Sequence, residues 1–164
     1  MAAALAAALR NATPAPVLPP PASGPVLFCI GSDHPVTAEQ QRRLLAHRDV
    51  ALLDAQSATA DELASALRSH VVLGIPRGQI DAPALSALIS DCRPAAFLLS
   101  GGDTASLVCK ALGAQAIELL REFSPGIPVG VLRGGPFDGS PVVTKSGGFG
   151  GPDDLIQLAD CFYA

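Results

Sequence analysis

Along the 164-residue chain, apolar runs of five or six residues alternate with longer segments whose apolar positions recur at helical spacing. From Pro25 the pattern is regular. "PVLFCIGSD" reads as a buried strand ending at Gly31, "VALLDA" as a second, "HVVLGI" as a third and "AAFLLS" as a fourth. Between them, "TAEQQRRLLAHR", the stretch from about Thr59 to Ser69, and "APALSALISDC" read as helices, and "DTASLVCKALG" as a helix ending at Gly113. Thr37 is expected to cap the first of these, with Gln40 as the reciprocal partner of a capping box. Strands alternating with helices at this spacing predict βαβ units. The expected fold is α/β: a three-layer, Rossmann-like sandwich with a mainly parallel sheet covered by helices on both faces. The strand runs are apolar throughout, as strands buried on both sides are. The last third differs, with "AIELL", "IPVGVLRG" and "PVVTKSG" strand-like between Gly and Pro, and "PDDLIQLADCF" as a closing helix. No internal repeat is visible.

The first residues stand apart from this pattern. "MAAALAAALRNA" has high helix propensity, and "TPAPVLPPPASGP" stops any helix with prolines. A signal peptide would need positive charge ahead of the apolar stretch, and Arg10 comes only after it. The expected organisation is a short helix and Pro-rich linker over residues 1–24, followed by one α/β domain over residues 25–164.

Composition removes several functions. With 49% hydrophobic residues, 16% charged and no Trp, the interior has to be built from small aliphatic side chains. A net charge of -4 argues against a nucleic-acid surface. The densest basic group, Arg42, Arg43 and Arg48, reads as a solvated helix face. Cys29, Cys92, Cys109 and Cys161 form no C-x-x-C pair, and a reduced, cytoplasmic protein is expected. His34, His47 and His70 have no ligand spacing, so no structural metal is expected. No apolar run approaches the length that spans a bilayer.

Candidate chemistry lies where strands hand over to helices. In an open parallel sheet, ligands bind outside the carboxyl ends of the strands. "SGGD" is such a junction: Gly101 and Gly102 leave no side chain over the turn, and the next helix presents unpaired backbone N–H groups and its positive dipole end, where phosphate fits. Asp103 or Thr104 is the expected N-cap. The same four residues also make a tight turn with no ligand at all. "TKSGGFGGPDD" repeats the arrangement, with Lys145 as a mobile positive charge beside Gly147 and Gly148 and with Pro152 near a helix start. "GSDHPVT" places Ser32, with Asp33 and His34, at the same edge. Three such loops point to one nucleotide-sized site. "SPGIPVGVLRGGPFDGSP", Ser124 to Pro141, reads as an irregular β segment packed on its own core, with a covered domain edge or pairing to another copy as alternatives.

In order, "GSDHPVTAEQ", "LLSGGDTASLVCKALGA", "SPGIPVGVL" and "VVTKSGGFGGPDDL" resemble the C-terminal nucleotide-binding domain of the four-carbon acid sugar kinases, which include threonate and erythronate kinases. The resemblance runs from about Val26 to Leu158. It implies that Ser32, Gly101, Gly102, Asp103, Thr104, Gly147 and Gly148 line an ATP site, with Lys145 beside the phosphates and Mg²⁺ arriving through the nucleotide. It assigns no catalytic residue here, because the family's other domain holds the sugar acid and the catalytic acid, and no protein ligand to the metal, for which Asp103 is the nearest candidate. Many members carry Glu at the position of Asp103, where Asp keeps the charge on a shorter arm, and Asn at that of Gly148, where Gly removes a side-chain amide. The family's acidic N-terminal motif has no counterpart in this sequence. The expectation is an ATP-binding half that transfers phosphate only with a separate sugar-acid-binding partner. A non-catalytic nucleotide sensor and a structural or oligomerisation remnant are the alternatives. No catalytic triad or G-x-S-x-G elbow is present.

Overall fold

The computed structural model describes residues 23–47 and 49–162. The expected N-terminal helix and most of the linker lie outside these residues, as does Arg48. Seven strands form one sheet: β1 (Val26–Ile30), β2 (Val50–Asp54), β3 (His70–Gly74), β4 (Ala96–Ser100), β5 (Ala116–Ser124), β6 (Ile127–Arg133) and β7 (Pro141–Lys145). Among the described residues, five helices accompany it: α1 (Pro35–His47), α2 (Ala60–Ala66), α3 (Ala82–Ile89), α4 (Gly102–Ala111) and α5 (Asp154–Cys161). The strand order is β2-β3-β1-β4-β7-β6-β5, parallel from β2 to β7 and antiparallel over β6 and β5.

Two apolar clusters lie on opposite faces of the sheet, and strand alternation feeds both. Leu27, Cys29, Val71, Phe97 and Leu99 meet Leu63 of α2, Leu85 and Ile89 of α3, and Val108 of α4. Val26, Phe28, Val72, Leu98 and Val143 meet Leu44 of α1, and Leu155 and Leu158 of α5. Three layers follow directly. β1 is buried at every position, which is why its sequence shows no polar alternation. β2, at the sheet edge, leaves Leu52 exposed. In the 124–141 stretch Ile127, Val129, Val131 and Phe137 are buried, with Phe137 edge-on to Phe97 at 5.5 Å. Burial pushes the Cys29 thiol up to about 12, with Cys92 and Cys109 adding to the shift, so it packs as a hydrophobe. His70 is equally internal, its Nδ1 accepting from the Val26 N–H at 2.9 Å.

Among the described residues, a capping box forms at α2. Thr59 Oγ1 accepts from the Glu62 N–H at 3.3 Å, and Glu62 Oε2 accepts from the Thr59 N–H at 2.8 Å. Thr59→Ala is expected to cost about 1 kcal/mol, read as a lower midpoint in urea unfolding with an unchanged slope. The box expected at Thr37 and Gln40 does not form. The helix starts at Pro35, two residues earlier, and both side chains are buried. Their hydrogen bonds go instead to a loop more than 100 residues away, described below.

Register aligns the sheet's carboxyl edge. Ile30 pairs with Gly74 on one side and Ser100 on the other, Gly74 with Asp54, and Ser100 with Lys145. The last residues of all five parallel strands therefore form one row. The loops leaving that row start level with one another. β1 continues through α1 toward β2, whereas β4 continues through α4 toward the opposite end of the sheet. The two connections diverge between β1 and β4, and that is where a crevice opens.

Candidate functional site

The crevice is a cleft of about 300 Å³ lined by three loops: Gly31 to His34 after β1, Gly101 to Thr104 after β4, and Ser146 to Gly148 after β7, with Arg77 reaching in from β3. Seven of the eight residues expected at the site line it: Ser32, Gly101, Gly102, Asp103, Thr104, Gly147 and Gly148. Two shallower depressions continue it along the edge, one toward Asp54 and Pro76 and one toward Gly126 and Pro128. The result is a groove along the carboxyl edge of the sheet.

The glycines make this closeness feasible. Gly101 has φ +105°, a conformation that L side chains rarely adopt, and it is the N-cap of α4. Its N–H donates to the Lys145 carbonyl at 2.9 Å, pinning the β4 loop to the end of β7. Gly31 lies so near α4 that a Cβ there would overlap Thr104 Oγ1 and approach the Ile75 carbonyl oxygen at 2.7 Å. A Cβ at Gly147 would overlap Ser32 Oγ and meet His34 Cβ at 3.0 Å. At Gly102 a Cβ would meet nothing within 4 Å, so that position is open to the cleft.

Two capping expectations are corrected here. Neither Asp103 nor Thr104 caps α4: the cap is Gly101, and no side chain accepts from the first-turn N–H groups. Thr104 is buried against Gly31, and Asp103 points outward to Arg77. The first turn thus keeps its backbone donors for something other than its own side chains.

Lys145 is the larger correction. It is 3% exposed and held by hydrogen bonds, so it is not the mobile charge expected. Its Nζ donates to Thr37 Oγ1 at 3.0 Å and faces the carbonyl oxygens of Ser146, Gly147 and Phe149 at 3.1, 3.3 and 3.2 Å. The ammonium gathers the glycine loop around itself. Burial pushes its pKa down from the ordinary 10.5, and the nearby Asp154 carboxylate opposes that shift. Thr37 Oγ1 donates to the Gly147 carbonyl at 2.7 Å, and Gln40 Nε2 donates to the carbonyls of Phe149 and Gly151 at 3.2 and 2.7 Å. Asp154, at the start of α5, accepts from the Gly151 N–H and from Ser124 Oγ, both at 3.0 Å. A loop rich in glycine is thus held by four polar side chains from β7, α1 and α5.

On the β1 side, Ser32 Oγ accepts from the His34 N–H at 3.3 Å, and His34 Nδ1 accepts from the Val36 N–H at 3.2 Å. His34 therefore serves the start of α1. The expected solvated arginine face is paired: Arg42 and Arg43 both bond Glu39, and Arg43 also reaches Asp153 at 3.1 Å. These two arginines hold the Glu39 carboxyl down at about 2.

Sequence reasoning missed Gly31 as a contact point, Arg77 as a lining residue, and Thr37 and Gln40 as supports. Arg77 was open to discovery by the rule that found the others, since it lies three residues past the end of β3. No local signal marks Thr37 or Gln40, because their partners are remote in sequence.

Among the described residues, no group of three or more His, Cys, Asp or Glu is arranged to hold a metal ion, and no helix is long and apolar enough to cross a membrane. Residues 80–155 match a family described as the nucleotide-binding C-terminal domain. A D-threonate kinase of Bordetella bronchiseptica is 51% identical over 65 residues, covering 40% of this chain and 16% of that protein. A D-erythronate kinase of Heliobacterium modesticaldum is 39% identical over 61 residues, covering 37% of this chain and 14% of that protein. A solved Bordetella bronchiseptica domain of unknown function, a domain-swapped dimer with bound citrate, is 32% identical with a TM-score of 0.70, covering 87% of this chain and 40% of that one. The chain spans less than half the length of that solved relative. The matched segment runs from the approach to α3 through the Gly101 and Gly147 loops to the first turn of α5, and the whole sheet shares the relative's fold. Over residues 80–155 the chain is accordingly similar to the nucleotide-binding C-terminal domain found in kinases of four-carbon sugar acids.

Proposed function

We propose that the cleft binds ATP with Mg²⁺, and that the chain is the nucleotide half of a kinase phosphorylating a four-carbon sugar acid such as threonate or erythronate. The observation that carries this reading is the convergence of three glycine-bearing loops at the point where the β1 and β4 connections diverge, with a helix N-terminus that has no side-chain cap at the gap. Backbone N–H groups there suit phosphate oxygens. Ser32, Gly101, Gly102, Asp103, Thr104, Gly147 and Gly148 are the proposed nucleotide contacts. Lys145 acts behind them, by holding the loop.

The residues fit a nucleotide with its metal. The cleft carries two exposed carboxylates, Asp33 and Asp103, which repel a bare polyphosphate and favour one that arrives with a divalent cation. Mg²⁺ would neutralise charge on the transferring phosphoryl group. Phosphoryl transfer further needs an acceptor hydroxyl held in line, which is the task of a sugar-acid-binding unit. This chain's part is to hold and orient the nucleotide.

Calorimetric titration of the full chain with ATP and Mg²⁺ tests the reading, with Gly101→Asp as control. Saturable binding is expected in the wild type and none in the variant, where the φ of +105° and a new carboxylate both oppose the loop. A wild-type chain that takes up no heat of binding at any ATP concentration contradicts the proposal. Binding without turnover when a sugar-acid-binding unit and its substrate are added assigns the site to nucleotide sensing.

A further inference from the structure

The cleft contains a charge arrangement that the glycine motifs do not explain. Of the described residues that line it, Arg77 is the single Lys or Arg. The other cation at this edge, Lys145, is already committed: an ammonium has three protons, and four oxygens surround this one. Arg77 is 78% exposed, and its Nη2 lies 3.1 Å from Asp103 Oδ2 at the first turn of α4. β3 and β4 flank β1 on opposite sides, so this ion pair crosses the end of β1. It stands over the gap bordered by Ser32 and Gly102.

We propose that Arg77 is the phosphate-binding cation of this cleft, and that Asp103 holds its guanidinium across the opening until a phosphate group takes the place of the carboxylate. The inference rests on the nucleotide reading of the site and adds to it the group that recognises the phosphates by charge. An ion pair this exposed is worth little in water and is broken at small cost. A guanidinium offers paired N–H donors that match a phosphate as well as a carboxylate, and its charge is fixed at every working pH. Together with the backbone N–H groups of α4, it supplies donors from two sides of the gap. The adenosine portion gains nothing from it, so Arg77 is expected to separate phosphorylated from unphosphorylated ligands.

The test compares the full chain with Arg77→Gln and Arg77→Lys in titrations with ATP and Mg²⁺ at low and high salt. Arg77 is exposed, and both variants are expected to melt with the wild type. Arg77→Gln is expected to weaken binding about 10- to 100-fold, the range for losing charge-assisted hydrogen bonds. Its salt dependence should become shallower, because one ligand-facing charge is gone. Arg77→Lys should fall between the two, keeping charge without the paired donors. Equal affinity in wild type and Arg77→Gln overturns the proposal and leaves the nucleotide reading standing. So does a loss of affinity with unchanged salt dependence, which marks an indirect effect on the loops. A wild-type chain that binds no ATP overturns both.

Discussion

Lys145→Met is expected to cost about 1.5–3 kcal/mol of folding stability and to abolish nucleotide binding, although the side chain is buried among carbonyls of the glycine loop. The methionine keeps the length of the stem and removes the donor. Thr37 Oγ1 and the carbonyls of Ser146, Gly147 and Phe149 then lose the cation they surround. Thr37 and Gln40 still donate to Gly147 and Phe149, so the loop is loosened and not released outright. Urea unfolding gives the stability, and amide exchange over residues 146–151 reads the loop directly. Unchanged exchange with lost ATP binding would contradict the scaffolding role and return Lys145 to the ligand.

The pH dependence of this effect has a definite sign. Burial depresses the folded-state pKa of Lys145 below the ordinary 10.5, so near the alkaline end the unfolded chain binds more protons than the folded one. Stability contributed through this group therefore rises as pH climbs through the folded value toward 10.5, and is lost as pH falls back through it. Lys145→Met lacks that titration. The stability gap between wild type and variant is expected to widen as pH rises through the folded value toward 10.5.

Gly31→Ala is the second large effect, at about 1–3 kcal/mol from overpacking. The added methyl would overlap Thr104 Oγ1 and crowd the Ile75 carbonyl, one a buried branched side chain and the other backbone at the end of β3. Neither can move without shifting the first turn of α4 or the β3 loop that carries Arg77. Nucleotide affinity should fall along with stability. Gly102→Ala is the matched control, since a Cβ there meets nothing within 4 Å, and its stability is expected to stay close to that of the wild type. Melting both variants and titrating them with ATP and Mg²⁺ checks the pair. A Gly31→Ala protein as stable as Gly102→Ala would mean that the close approach of the β1 loop to α4 is not required.

How much of this was readable in the chain depends on whether the cause is local. The run Val26 to Ile30 is apolar because both faces of β1 are covered, and that pattern alone predicts a central strand. The alternation of such runs with helical segments predicts βαβ units, and glycines at the strand ends mark the loops. Thr37 and Gln40 misled for the opposite reason: their spacing matches a capping box, but burial gave them to carbonyls of the 147–151 segment. A capping box does form at Thr59 and Glu62, where both side chains are exposed and bond each other's backbone. Capping geometry competes with remote partners, and only burial decides the winner.

The sequence by itself determined the α/β class, the strand and helix positions to within a few residues, and the three loops that meet at the cleft. These follow from backbone preference and side-chain period, which act over a few residues. Tertiary structure decided that β5 and β6 run antiparallel at the sheet edge, that Lys145 is buried and bonded to the glycine loop, and that Arg77 faces Asp103 over the end of β1. Each of those depends on which strands become neighbours and on what water can no longer reach, and long-range packing sets both.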